Sequence, residues 1–317
     1  MTADAVLHTR SAIAVPKDWS NVARVSLHVQ QEYRYTYSAP ITDIRQRLMM
    51  VPPTRYGDQV LGAHELAVEG ADDVTIEWEN DRFGNRACKV RASRVQESAR
   101  FAVEFEVDRV APPTWQRLRA NASVDPFLAP TALTAPDDRI RAAGEALLAA
   151  LPHAPVPEEI VPLDSHALHQ WMLAILAGEW TSKAIKYQHG QTGVQTPAAM
   201  ALHLGGGVCQ DYAHIAIAVL RTLGVPARYV SGHVLGEGAP HAWFEAILPD
   251  PSDPARLIAM AYDPTHHRRP GMSYITVAVG RDYADVAPTS GSFTGIAGSR
   301  LAPKKDAWVV DLQMASQ

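Results

Sequence analysis

Cysteine is scarce in this chain: Cys88 and Cys209 are the two among 317 residues, and no CxxC pair occurs. A disulfide framework and a thiolate metal knuckle are excluded, so each thiol needs its own explanation. There is no HExxH segment, no EF-hand-like loop and no dense acidic cluster, which removes familiar signatures of zinc hydrolases and of calcium dependence. No apolar run approaches the ~20 residues of a membrane span, and residues 1–20 lack the charged-then-apolar layout of a signal peptide. A cytoplasmic protein without membrane contact is the expectation. Basic blocks are also missing and the net charge is -5, so nucleic acid is not an expected partner. Internal repeats and sizeable low-complexity tracts are absent.

What is present is a globular composition, 47% hydrophobic and 20% charged, on a chain long enough for two domains. From Val25 the apolar residues alternate: Val25, Leu27, Val29, then Tyr33, Tyr35 and Tyr37. Leu66 and Val68, Val74 to Trp78, Cys88 to Ala92, and Phe101 to Val107 repeat that pattern between turn formers such as Asp81 to Asn85. Residues 20–110 therefore read as an N-terminal β-sandwich, with Cys88 a small buried hydrophobe. Residues 111–163 read as a proline-rich linker carrying a short helix at 140–151 that packs. Residues 164–317 read as a second domain. Within it, an amphipathic helix at 165–185 has Leu168, Trp171, Met172, Ile175 and Leu176 facing inward. Thr196 before Pro197 suggests an N-cap, and Gly205 to Gly207 a helix stop.

The next helix begins at Cys209 and is apolar nearly all round, through Ile215 to Leu220 and Leu223, which makes it a buried central helix. Short β-rich runs follow at 227–234, 242–248 and 256–262, so the second domain is α+β with an antiparallel sheet on that helix; the tail near 307–312 suggests an edge strand. A thiol at a helix start ionises readily, because unpaired backbone N–H groups and the macrodipole favour negative charge. A nucleophilic cysteine also needs a base and a group to orient that base. His241 opens one strand and Asp263 closes the next, so neighbouring strands can bring them together.

Four segments carry a family likeness: Gly207-Val-Cys-Gln-Asp-Tyr-Ala-His214, Leu223 to Gly232, His241-Ala-Trp-Phe-Glu245 and Tyr262-Asp-Pro-Thr265. They resemble the bacterial transglutaminase-like family of the papain-like superfamily. The run from Val277 to Val286 and Asp81-Arg-Phe-Gly-Asn85 resemble that family's tail and N-terminal β-domain. The resemblance implies a catalytic domain over residues 164–317, with Cys209 as nucleophile, His241 as general base and acid, and Asp263 as orienter. It further implies cysteine-dependent acyl transfer through a thioester on a protein or peptide substrate, expected as hydrolysis, with transamidation or a non-catalytic binding module as alternatives. The Cys209 N–H is a natural oxyanion donor; a second is not assigned. Tyr187, Gln188 and Gln191 are candidate cleft residues; Trp243 is expected to pack beside His241 and limit water access, and is, with Tyr187 and Gln188, a candidate substrate-binding residue. Cys209, His214, His233 and His241 are conceivable metal ligands, but His214 lies five residues past Cys209, about 140° around the helix. No metal or cofactor is expected. His266 to Arg269 reads as an exposed loop. The sequence does not speak to oligomeric state.

Overall fold

The structure, a computed structural model, describes residues 12–16, 18–112, 114–119, 122–160 and 163–315. Much of the N-terminal stretch read for a targeting signal lies outside these residues, as do Pro113 and Pro162 of the proline-rich segment.

The N-terminal half consists of strands β1 (Val22–Tyr37), β2 (Ile41–Leu48), β3 (Arg55–Tyr56), β4 (Gln59–Asp72), β5 (Thr75–Asn80) and β6 (Arg86–Val110). The 25-residue β6 is the hub, pairing mainly with β2 and β5 through its first half and with β1 and β4 through its second. Successive strand residues face opposite sides, so the alternation buries Val25, Leu27, Val29, Phe101, Val103, Phe105 and Val107 in one core. Cys88 is buried there too, and burial pushes its thiol up to about 11. β5 departs from the expectation: Ile76 and Trp78 are 44% and 38% exposed. Their strand pairs only with β6 among the described strands, and the Arg86 guanidinium lies over the Trp78 ring.

The second half begins with β7 (Gln116–Arg117), α1 (Asp125–Leu128), α2 (Asp138–Ala150), α3 (Ser165–Ala184), β8 (Lys186–Tyr187), α4 (Ala198–Leu204), β9 (Gly206–Gly207) and α5 (Cys209–Thr222). It continues with β10 (Ala227–Val234), β11 (His241–Asp250), β12 (Asp253–Tyr262), β13 (Tyr274–Gly280) and α6 (Tyr283–Val286). The antiparallel sheet has the order β13-β10-β11-β12-β7. α5 packs between β10 and β11 on one side and α2, α3 and α4 on the other. From Ala213 to Leu220 only His214 interrupts its apolar sequence, and every one of these residues is fully buried. At about 1.5–3 kcal/mol for each large aliphatic removed from water, this helix anchors the unit.

Three local expectations need correction. In α3 the inward face centres on Ala167, Trp171, Ala174, Ala177 and Gly178, while Leu168, Ile175 and Leu176 are only half-buried. Thr196 does not cap α4: its hydroxyl accepts from Gly193 N–H in the preceding turn, and Pro197 occupies the cap position. Gly205, with φ 68°, does end that helix as expected. Residues 111–163 are more than a linker, because β7 extends the sheet and Ile140, Ala143 and Leu147 join the α5 core. Arg221 of α5 fastens the segment by donating to the Phe127 carbonyl and the Thr134 hydroxyl.

The last correction concerns the end of the chain. β14 (Thr289–Thr294) pairs with β2, and β15 (Ser299–Met314) runs antiparallel along β1 as the edge strand. Residues 289–314 thus join the N-terminal sheet, not the unit expected over 164–317. Without them the 16-residue β1 would present a long row of unpaired backbone groups. The two sheets also meet directly. On β13, the Gln59 amide exchanges two hydrogen bonds with Thr276 (2.8 and 2.9 Å), and the Asn85 amide does the same with Val279 (2.7 and 2.8 Å).

Candidate active site

Cys209 is the first residue of α5, where a backbone N–H has no intrahelical partner. It is partly exposed, unlike Cys88. The approach is set by Asp211, whose carboxylate accepts from Val208 N–H (2.8 Å) and from the Thr192 hydroxyl (2.6 Å). Gly207 is required by that cap: a Cβ there would stand 2.5 Å from the Asp211 carboxylate oxygen. β8 and β9 form a short parallel pair beside the helix start, with Gln188 N–H donating to the Gly207 carbonyl (2.8 Å).

His241 opens β11 opposite Gly232 of β10, and Asp263 directly follows β12. His241 Nε2 lies 2.8 Å from the Asp263 carboxylate, and Cys209 is among the groups that act on the same imidazole. Cys209, His241 and Asp263, proposed from three separate segments, therefore come together. Asp263 is fully buried and heavily solvated by the protein. One carboxylate oxygen accepts from the N–H groups of Thr265 (2.9 Å) and His266 (3.2 Å). The other meets His241, His266 Nδ1 (2.7 Å) and the Tyr274 hydroxyl (2.7 Å).

The electrostatics follow from these contacts. Burial alone would lower the basicity of His241, but hydrogen bonds to Asp263, Cys209 and Glu237, with the Asp263 charge, outweigh it and raise its pKa far above the ordinary value. Burial would raise Asp263, but bonds from His241, His266 and Tyr274 hold it well below the usual carboxylate range. The pair favours imidazolium beside carboxylate. Nε2 is committed to Asp263, so Nδ1 serves the thiol.

Tyr187 is 51% exposed at this mouth, within electrostatic range of Cys209, Glu237 and His241. Gln188 is exposed beside it, and the Gln191 side chain packs against Gly206. Trp243 is placed differently from a cleft residue: it is 1% exposed and lies beneath His241, with ring centroids 6.2 Å apart. It supports the imidazole and has no surface to offer a substrate. His214 and His233 are not near-ligands of the thiol but buried core histidines. His214 accepts from Tyr283 N–H, and His233 stacks near Phe105.

Three participants escaped the sequence reading: Glu237, His266 and Tyr274. Glu237 Oε2 lies 3.3 Å from His241 Nδ1, and its Oε1 lies 3.0 Å from His266 Nε2. His266, read as an exposed loop residue, turns its ring over His241 with centroids 4.9 Å apart. A histidine three residues after the orienting aspartate was a visible signal, whereas Tyr274 reaches Asp263 only through the pairing of β13 with β10. A cavity of about 670 Å³ lies elsewhere, lined by Arg55, Trp115, Arg117, Asp250 and Ile258 among others.

Comparison with known proteins agrees with this architecture. The family described as the transglutaminase-like superfamily matches residues 173–256, and the bacterial transglutaminase-like N-terminal region matches residues 27–108. A protein of Mycobacterium leprae with no assigned function is 35% identical over 207 residues, covering 61% of this chain and 64% of its own. One from Mycobacterium tuberculosis is 40% identical over 116 residues, covering 33% and 36%. The matches span less than two thirds of the length of these curated relatives. The crystal structure of a candidate cysteine protease from Cytophaga hutchinsonii shares the fold with a TM-score of 0.67 over 91% of both chains, at 20% identity. Having both the N-terminal β-region and the core around the cysteine helix, this chain belongs to the bacterial transglutaminase-like family.

Proposed function

We propose that the protein is a cysteine-dependent acyl-transfer enzyme that hydrolyses a carboxamide or peptide bond in a protein or peptide substrate. The observation carrying this reading is the convergence of Cys209, His241 and Asp263, with the imidazole 2.8 Å from a buried carboxylate and Cys209 among the groups that raise its basicity.

In this mechanism the Cys209 thiolate attacks the carbonyl carbon while His241 holds a proton on Nδ1. The Cys209 N–H, free at the helix start, is one donor to the oxyanion. The C–N bond breaks as Nδ1 gives its proton to the leaving ammonia or amine, leaving a thioester on Sγ. Water then attacks the thioester, Nδ1 takes its proton, and the acid product leaves with regeneration of the thiolate and imidazolium. Asp263 stays ionised throughout and fixes the ring. The partial exposure of Cys209 supports water as acceptor. An amine acceptor using the same residues would give transamidation.

The test is mass-spectrometric trapping of an acyl group on Cys209, with ammonia or amine release from glutamine-containing peptides, with and without an added primary amine. Turnover should fall by at least about a thousandfold in Cys209→Ala and His241→Ala. Turnover unchanged in Cys209→Ala would end the proposal, and amine incorporation faster than acid formation would move it to transamidation.

A further inference from the structure

The Glu237 carboxylate faces two imidazole nitrogens, His241 Nδ1 at 3.3 Å and His266 Nε2 at 3.0 Å. The opposite nitrogen of each ring, His241 Nε2 and His266 Nδ1, already engages the same Asp263 carboxylate oxygen, at 2.8 and 2.7 Å. With both rings neutral, each gives its proton to Asp263 and turns a lone pair toward Glu237; a protonated His241 donates to both carboxylates, and the lone pair facing Glu237 is then that of His266 alone. The two rings lie with centroids 4.9 Å apart, so their inward nitrogens and the carboxylate converge on one point where a cation would meet three ligand atoms.

The spacing suits a particular class of cation. The three ligand atoms lie within 4.8 Å of one another. Bonds of about 2.0–2.1 Å from zinc to imidazole nitrogen place tetrahedral ligand atoms about 3.3 Å apart, close to the two contacts Glu237 makes. A carboxylate hydrogen-bonded to the far nitrogen of each ligating histidine is also the supporting arrangement that orients such rings on zinc. Nitrogen ligands favour a borderline first-row dication over calcium or magnesium. The hairpin bearing Glu237 is tied down, because buried Lys305 donates to the carbonyls of Val234 (3.1 Å) and Glu237 (2.6 Å).

We infer that Glu237, His241 Nδ1 and His266 Nε2 form an inhibitory binding site for zinc(II), with its fourth position open toward Cys209. Zinc on Nδ1 occupies the nitrogen that serves the thiol, so the metal and the acyl-transfer cycle exclude each other. The inhibitory consequence rests on the function proposed above; the binding site does not.

The experiment titrates chelator-stripped full-length protein with zinc chloride against a chromophoric chelator, and in parallel follows iodoacetamide labelling of Cys209. One equivalent of zinc should bind and slow Cys209 labelling at least tenfold, with recovery on adding EDTA. His266→Ala and, separately, Glu237→Gln should each weaken zinc at least tenfold, because loss of a ligand exceeds the 10–100-fold cost known for supporting groups. His266 is exposed in its loop, and Glu237→Gln conserves shape, so both variants should retain the fold, checked by circular dichroism. Absence of stoichiometric zinc binding, or binding unchanged in both variants, overturns the inference. Zinc bound through His266 and Glu237 to a protein whose Cys209 resists labelling even without metal supports the site and defeats the enzymatic reading. Rapid labelling indifferent to zinc does the reverse.

Discussion

At the scale of single residues, the molecule distinguishes its two thiols by surroundings. Cys88 is sealed in the N-terminal core with its pKa pushed up to about 11, while Cys209 sits partly exposed at a helix start and interacts with His241. At pH 7.5, iodoacetamide should label Cys209 at least a hundredfold faster than Cys88, read by peptide mass spectrometry, and His241→Ala should slow the Cys209 reaction. Equal rates would remove the thiol–imidazole pair. Tyr274 is a positioning residue that acts through Asp263. Tyr274→Phe deletes a donor to a buried charge, at a cost of about 1.5–3 kcal/mol in urea unfolding, and should lower kcat with little change in KM. A change confined to KM would place Tyr274 in substrate binding. The three triad positions were legible because they stand in quoted segments; Glu237 and His266 were not, because their roles depend on loops folding back over β11.

At the scale of elements, the sequence pattern served best where an element is apolar and buried throughout. β10 was expected at 227–234 and is found as Ala227–Val234, and α5 begins at the cysteine as expected. It served worst where a neighbour decides. Three of the five residues expected on the inward face of α3 are only half-buried, and β5 is exposed although it alternates. Two elements make testable demands. Gly207→Ala would drive the Asp211 carboxylate from its cap on Val208, so kcat should drop at least tenfold while the thermal midpoint moves by only a few degrees. A normal kcat would show that the cap does not place Cys209. On the edge of β13, Asn85→Ala would leave the buried Val279 N–H and C=O without their partner, costing about 2–6 kcal/mol at about 1–3 for each group. A loss under about 1 kcal/mol would mean that another group or water takes over the edge.

Over the whole molecule, two fully buried histidines set the response to acid. Burial lowers His214 and His233 to about 3, with Arg221 and Lys305 adding to the respective shifts. In the unfolded chain each titrates near ~6.5. A native pKa below the unfolded one means that, as pH falls below about 6.5, the unfolded state takes up protons that the native state refuses. Stability is thus complete above that pH and is lost toward pH 3, by about 1.4 kcal/mol per pH unit for each histidine, or about 2 kcal/mol each by pH 5. Among the described residues neither ring nitrogen of His233 has a hydrogen-bond partner, so His233→Phe should flatten the urea-unfolding slope against pH by about 1.4 kcal/mol per unit. An unchanged slope would show that His233 protonates in the native state. The C-terminal strand ties the halves together: β15 completes the N-terminal sheet while its Lys305 reaches the hairpin above the active site.

What the sequence by itself determined was local: the strand and helix periods, the central cysteine helix, and the three chemically apt residues within family-like segments. Those follow from side-chain alternation and helix-end chemistry, which act over a few neighbours. Tertiary structure alone decided that residues 289–314 return to the first sheet, that Gln59 and Asn85 cover the β13 edge, that Trp243 is support, and that Glu237 and His266 close on His241. The physical reason is that backbone pairing and buried hydrogen bonds are satisfied by whichever group arrives in space. Sequence distance carries no record of that arrival.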